Sequence, residues 1–373
     1  MMGRDRGETV MITYQYDIFF SYPRRDQTAA MELYRALTAA NLNVFLDQND
    51  IRDTDSISTT IAESLGQSKL LLAWYSAHYP KSRPCQWELT AAILAGTAEG
   101  SVGARVMAVN PEDGVGHIHP LDICNTPLLS AVDVDGTVRR ILAQVRTLTT
   151  PLSAVRSQER PRWYGQRRLG STRFAGRLAE MWQVHSLLNA AEAFAAIAGT
   201  QSGDTVRVHG MGGIGKSLLA EEYAHRFGAA YPGGIVWLSA AAPRQDQIYT
   251  LALECGLHIQ GLEPVMVHGM LRGYFERLKQ PYLWVIDDLP AEATVADLGE
   301  WLPPSANGRT LITTRGIALG RNGATLALGV LNPAEALELL LSHRPVTSTA
   351  DQTAAESIVA ALGGHALAVE VGP

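Results

Sequence analysis

Gly210-Met211-Gly212-Gly213-Ile214-Gly215-Lys216-Ser217 fits the pattern G-x-x-x-x-G-K-[ST] at every position. The β-branched run Thr205-Val206-Arg207-Val208 precedes it, and a helical run starts near Leu218. Glycines let backbone N–H groups close around phosphate oxygens with no Cβ in the way. The helix that follows adds the partial positive charge of its N-terminus. Strand, loop and helix in this order predict a nucleotide site lined by Gly210, Gly212, Gly213 and Gly215. Lys216 is expected to reach the β/γ-phosphates, and the Ser217 hydroxyl to ligate Mg2+.

Working outward, Tyr282-Leu283-Trp284-Val285-Ile286 is an apolar strand that ends in two carboxylates, Asp287 and Asp288. In that arrangement Asp287 holds Mg2+ through water and Asp288 orients a hydrolytic water. Ile235–Leu238 and Arg309–Thr313 read as further strands, so this half predicts an α/β domain. Beyond Leu331 the pattern turns helical. Asn332-Pro333 starts a helix with a stripe of Ala336, Leu337, Leu340 and Leu341, and a second apolar helix is expected over Ile358–Val371.

Further landmarks occur in a fixed order: Phe174-Ala175-Gly176-Arg177, Thr313-Thr314-Arg315, Leu331-Asn332-Pro333-Ala334-Glu335-Ala336 and Leu362-Gly363-Gly364-His365-Ala366-Leu367-Ala368. Together with the phosphate loop they resemble the NB-ARC branch of the STAND ATPases, found in plant resistance proteins, apoptosome scaffolds and bacterial defence proteins. The resemblance implies that Arg315 senses the terminal phosphate and that the segment carrying Arg177 lies near the adenine. Ala366 stands where that family has a proline. The family's winged-helix region would follow residue 373, so the resemblance implies that the chain is part of a longer protein.

The N-terminal half alternates in the same way. Tyr16–Phe20, Asn43–Leu46, Lys69–Tyr75 and Arg105–Val109 read as strands, with helical spacing between them, most clearly over residues 28–40. Strands alternating with helices predict a parallel sheet covered on both faces. Asp17-Ile18-Phe19-Phe20-Ser21-Tyr22, Val44-Phe45-Leu46-Asp47 and Ser82-Arg83-Pro84-Cys85-Gln86-Trp87-Glu88-Leu89 resemble three successive boxes of the TIR domain. Over residues 14–130 the resemblance implies a flavodoxin-like fold. It also implies either self-association alone or cleavage of NAD+ at the nicotinamide–ribose bond.

Such cleavage needs little machinery. The leaving pyridine is already cationic and needs no acid, and one carboxylate can steady the oxocarbenium-like transition state. The resemblance assigns that carboxylate to Glu88, with Tyr22 and Arg24 contacting the substrate and Asp47 at the crevice beyond the strand ends. Two residues depart from the TIR pattern: Pro84 replaces an aromatic four positions before Glu88, and Thr54 replaces a loop glycine. Trp87 points ~100° away from Glu88 on a helix and reads as a core residue.

Composition sets the frame. A chain of 373 residues has room for two domains. The hydrophobic fraction of 46% and charged fraction of 18% exclude a disordered or fibrous chain. A net charge of −6 speaks against a dedicated nucleic-acid binder. Cys85, Cys124 and Cys255 form no metal or disulfide pattern. Neither a signal peptide nor an apolar run of ~18–20 residues is present, which predicts a cytoplasmic protein with no membrane partner.

The expected organisation is a TIR domain over 1–146, a basic linker over 147–172, a P-loop NTPase domain over 173–328 and a helical subdomain over 329–373. The linker reads as a solvated tether, or alternatively as a docking strip for an acidic surface. The expected function is a nucleotide-switched defence protein. ATP or ADP with Mg2+ would govern self-association of both domains, a region beyond residue 373 would sense the trigger, and the assembled TIR domains would cleave NAD+. The alternatives are a TIR adaptor without catalysis and an ATPase-driven transcription regulator.

Overall fold

A computed structural model describes residues 14–46, 59–124, 126–152, 155, 161–165, 170–171, 173–189, 205–316, 324–342 and 348–372. The chain forms two compact units, residues 1–158 and 159–373.

The first unit holds a five-stranded parallel sheet. Its strands are β1 (Tyr16–Ser21), β2 (Val44–Leu46), β3 (Ser68–Trp74), β4 (Val106–Asn110) and β5 (Leu129–Ser130), in the order β2-β1-β3-β4-β5. This is the flavodoxin-like order, with its reversal between β1 and β3. Central strands with both faces covered must be apolar on both. Accordingly β3 is buried along its whole length, and Ile18, Phe19 and Phe20 of β1 are at most 1% exposed. On one face Ile18, Phe20, Leu70 and Leu72 pack with Leu33 and Leu37 of the helix Gln27–Ala39 and with Ile141 and Val145 of the helix Val134–Thr147. The helix Arg83–Ala98 is buried along most of its length, Trp87 included.

The second unit has six parallel strands. They are β6 (Trp163–Tyr164), β7 (Thr205–His209), β8 (Ile235–Ser239), β9 (Tyr282–Leu289), β10 (Gly308–Thr314) and β11 (Ala324–Ala327), in the order β11-β7-β10-β9-β8-β6. Trp284, Tyr282, Ile286 and Phe275 form the centre of one face, and the indole of Trp284 donates to the Trp301 carbonyl at 2.7 Å.

Three features differ from the sequence expectation. The stretch expected as a linker is partly incorporated: Leu152 and Val155 are buried in the first unit, and Trp163–Tyr164 adds an edge strand beside β8. A two-residue strand has no readable period, so its partner decides it. The apolar helix expected over Ile358–Val371 is two helices, Thr349–Ala361 and Ala366–Val371. They break at Gly363 and Gly364, whose φ of +59° and +66° end a right-handed helix. Third, Ala175 packs into the core of the helical subdomain with Leu331, Ala336, Leu339, Val359 and Val369.

The pairing of β9 with β10 slips near its end, from Ile312↔Ile286 to Thr314↔Leu289. Asp287 and Asp288 thus oppose Thr313 alone, as in a β-bulge, and Asp288 sits at φ +56°. The Thr313 hydroxyl bridges both residues, accepting from the Asp288 N–H at 2.8 Å and donating to Asp287 Oδ1 at 2.6 Å.

Two predictions follow from this packing. Thr313→Val removes the bridge and should cost ~1–3 kcal/mol. Asp288→Gly, whose backbone suits a positive φ, should be neutral or gain up to ~1 kcal/mol. Urea denaturation measures both, and the opposite ranking would refute the bulge. The second concerns His185, which is buried with Nδ1 3.0 Å from the Tyr223 hydroxyl and 3.2 Å from Asn189 Nδ2. Burial pushes its imidazole from the ordinary 6.5 down to about 3. Between those values the unfolded chain takes up a proton that the folded chain refuses. Stability is therefore full above the unfolded value and is lost as pH falls toward the folded one. From pH 7 to 5 this amounts to ~2 kcal/mol. His185→Phe should flatten the pH dependence of unfolding, and an unchanged slope would contradict the assignment.

Candidate functional sites

In the first unit the key contact joins a strand end to a helix. β1 ends at Ser21, and Ser82 caps the helix Arg83–Ala98, its hydroxyl accepting from the Cys85 N–H at 3.4 Å. Glu88 lies in the second turn of that helix, 5% exposed, and its Oε2 accepts from the Ser21 hydroxyl at 2.6 Å. The Ser21 oxygen is also 2.8 Å from the Tyr79 hydroxyl. Ser21 has one proton and spends it on Glu88, so Tyr79 is the donor of that second bond. Burial, then the nearby Cys85 and Glu88, push the Tyr79 phenol well above its ordinary 10.0, which keeps it a donor. Burial, reinforced by the charge of Glu88, likewise pushes the Cys85 thiol up and makes it an inert packing group.

The other expected residues of this site are placed differently. Tyr22 is half-buried, with its ring 5.7 Å from that of Phe20, on the face of β1 opposite Ser21. Arg24 is exposed at the start of the short turn Arg24–Asp26. Asp47 and the loop with Thr54 lie outside the described residues. Ser21 and Tyr79 were not expected. Nor was Asp26, which accepts from Ser76 and from His78 Nδ1, the latter at 2.9 Å, and so braces the β1 loop against the end of β3.

In the second unit the phosphate loop runs from the end of β7 into the helix Lys216–Arg226, with Gly215 at φ +98° capping it. At Gly210 and Gly213 the loop leaves no room for a side chain. A Cβ on Gly210 would lie 2.5 Å from the Leu328 carbonyl oxygen, and one on Gly213 2.9 Å from His365. The Lys216 ammonium folds back to donate to the Gly210 and Met211 carbonyls at 2.9 and 2.8 Å. Burial lowers its pKa, with Arg315 acting the same way, while Asp288 and Asp287 pull it up. All four charged groups thus share one neighbourhood. The Arg315 guanidinium stands over the loop, 3.5 Å from where a Cβ on Gly212 would be. Asp287 is buried and Asp288 exposed, and Ser217 is the second residue of the helix. A glycine cradle, a lysine, a hydroxyl and a carboxylate fit a nucleotide and its Mg2+.

Arg177 is engaged within its own unit. Its guanidinium pairs with Glu180 at 3.0 Å and donates to the Gly329 carbonyl at 2.5 Å, and its N–H donates to Glu335 at 3.0 Å. Glu335 is also the third residue of the capping box that starts the helix Pro333–Leu341. Arg177 therefore ties its segment to the helical subdomain. Among the described residues no helix is long and apolar enough to cross a membrane.

Comparison with known proteins agrees with this division. The TIR-domain family model matches residues 18–139, and the NB-ARC-domain model matches residues 192–344. No curated protein matches the chain. Among solved structures, a STAND protein with a tetratricopeptide repeat sensor from Pyrococcus horikoshii is 22% identical, with a TM-score of 0.36, covering 54% of this chain. The chain spans 30% of that protein's length. The TIR domain of the Toll-related receptor TRR-2 from Hydra magnipapillata is 16% identical, with a TM-score of 0.27, over 35% of this chain and 99% of its own. The TIR domains of the activated Roq1 resistosome are 17% identical, with a TM-score of 0.25, over 38% and 84%. Glu88 falls within the first matched range and the phosphate loop, Asp287, Asp288 and Arg315 within the second. The chain is a TIR domain followed by an NB-ARC domain.

Proposed function

We propose that this chain is a nucleotide-switched signalling protein of the defence type, whose TIR domain cleaves NAD+ at the nicotinamide–ribose bond. The observation that carries the enzymatic reading is the Glu88 carboxylate held by Ser21 at 2.6 Å at the carboxyl end of β1. Open parallel sheets bind ligands at that edge, beside the reversal of strand order. There Glu88 would face the ribose as the C1′–N bond breaks. The electron pair leaves with nicotinamide, water adds to C1′, and its proton goes to solvent. The carboxylate steadies the positive charge that develops on the sugar.

The NB-ARC module would bind ATP or ADP through the loop glycines, Lys216 and Arg315, with Ser217 and Asp287 holding Mg2+. Phosphates would draw the Lys216 ammonium away from the Gly210 and Met211 carbonyls. Assembly through both domains would then raise the local concentration of tethered TIR domains, which is how the nucleotide switch would control the TIR site. One observation favours the rival reading, a TIR adaptor without catalysis: Glu88 is 5% exposed and already engaged by Ser21.

Nicotinamide release from concentrated protein, measured with ATP, with ADP and with neither, tests the proposal. Release should be highest with ATP, should fall by ~100-fold or more in Glu88→Ala, and should lose its ATP dependence in Lys216→Ala. Absence of release under every condition would contradict the enzymatic reading. Release that persists in Glu88→Ala would remove Glu88 from the reaction, and release indifferent to ATP would break the coupling.

A further inference from the structure

The crest of the phosphate loop is pinned from outside by the segment that opens the last helix. His365 Nε2 lies 3.0 Å from the Gly212 carbonyl oxygen, and the Leu367 N–H donates to the Gly213 carbonyl at 3.0 Å. A carbonyl only accepts, so the ring proton is on Nε2. Nδ1 then accepts from the Ala368 N–H at 3.4 Å and caps the helix Ala366–Val371. One imidazole thus serves the helix cap with one nitrogen and the loop with the other.

The segment is itself held in register. The Leu331 N–H donates to the Gly364 carbonyl at 2.9 Å, and Gly364, at φ +66°, lies so close that a Cβ would sit 2.4 Å from the Leu331 oxygen. Val369 is buried in the helical core, and Glu370 pairs with Arg173 at 3.0 Å. The segment is therefore a fixed anchor for the loop.

Peptide planarity gives this anchor a consequence. The C=O and N–H of a trans peptide point in opposite directions, and no described peptide is cis. Anchoring the Gly212 and Gly213 carbonyls therefore turns the N–H groups of Gly213 and Ile214 away from the helical segment. We propose that His365 and the Leu367 amide are positioning groups: they hold two successive loop peptides with their N–H groups aimed at the bound phosphates. Nucleotide affinity then depends on the docked helical segment, and by linkage bound nucleotide holds the segment docked to the same extent. The proposal rests on the nucleotide binding proposed above. It adds the contact by which that binding is communicated to the helical subdomain.

The test is titration of ADP with Mg2+ into the wild-type chain, His365→Phe and His365→Gln, with hydrogen exchange of residues 366–371 measured with and without ADP. Phe fills the site without a donor. Gln places an N–H donor near the position of Nε2. His365→Phe should bind ADP ~5–20-fold more weakly, the size of one lost hydrogen bond. His365→Gln should stay within ~3-fold of wild type. ADP should slow exchange of residues 366–371 in wild type and in the Gln variant, and less in the Phe variant. ADP binding by His365→Phe equal to wild type would overturn the proposal, as would equal losses in Phe and Gln, or exchange in the wild type that ADP leaves unchanged. Each of those outcomes leaves nucleotide binding itself intact. A wild-type chain that binds no ADP would overturn both.

Discussion

A parallel strand covered on both faces reaches water only at its ends, and this constraint decides where both units can do chemistry. Ser21 closes β1, the phosphate loop follows β7, Asp287 and Asp288 lie near the end of β9, and Arg315 follows β10. The register of β10 sets Thr314 beside His209 on one flank and Leu289 on the other, so three strand ends finish level. Behind them the strands are mostly apolar, and Ile18, Leu71, Val285 and Ile286 are fully buried. That burial fixes the register, because a slip of one residue would turn each strand over and carry Ser21 to the wrong face.

Both units then solve the same electrostatic problem in the same way. A carboxylate at a crowded strand end needs a donor, and each receives a hydroxyl at 2.6 Å, Ser21 for Glu88 and Thr313 for Asp287. Contacts this short are typical of a hydroxyl donating to a carboxylate. They differ in reach. Thr313 comes from the neighbouring strand and also ties down the bulge, whereas Ser21 joins a strand to a helix 67 residues on. Asp287 is therefore set by the sheet itself. Glu88 is set by the packing of the helix Arg83–Ala98 onto the sheet, so movement of that helix or of the β1 loop alters the site directly.

How much of this was legible in the chain follows from the range of each interaction. The phosphate loop was fully readable because its parts are contiguous, and so was the cap at Asn332, where residue and partner stand three apart. Glu88 was singled out through its neighbours in sequence, but Ser21, which donates to it, and Tyr79, which bonds Ser21, depend on packing and carried no signal of their own. Arg177 was singled out by the family resemblance, and its partners Gly329 and Glu335, 152 and 158 residues away, show it tying elements together. Edge strands β6 and β11 escaped because two or four residues show no period. The break at Gly363-Gly364 was present as a glycine pair, but the apolar residues on either side suggested one helix. The contact of His365 with the loop could not have been read from its own position, since its partner is a backbone carbonyl, that of Gly212, 153 residues away.

The central claim is that the Ser21–Glu88 contact marks where a dinucleotide's ribose docks. A crystal structure of the chain with a non-cleavable carbocyclic NAD+ analogue tests it most directly. The account predicts the analogue's sugar within hydrogen-bonding distance of the Glu88 carboxylate, at the carboxyl end of β1. An analogue bound at another edge of the first unit, with Ser21 and Glu88 undisturbed, would contradict it.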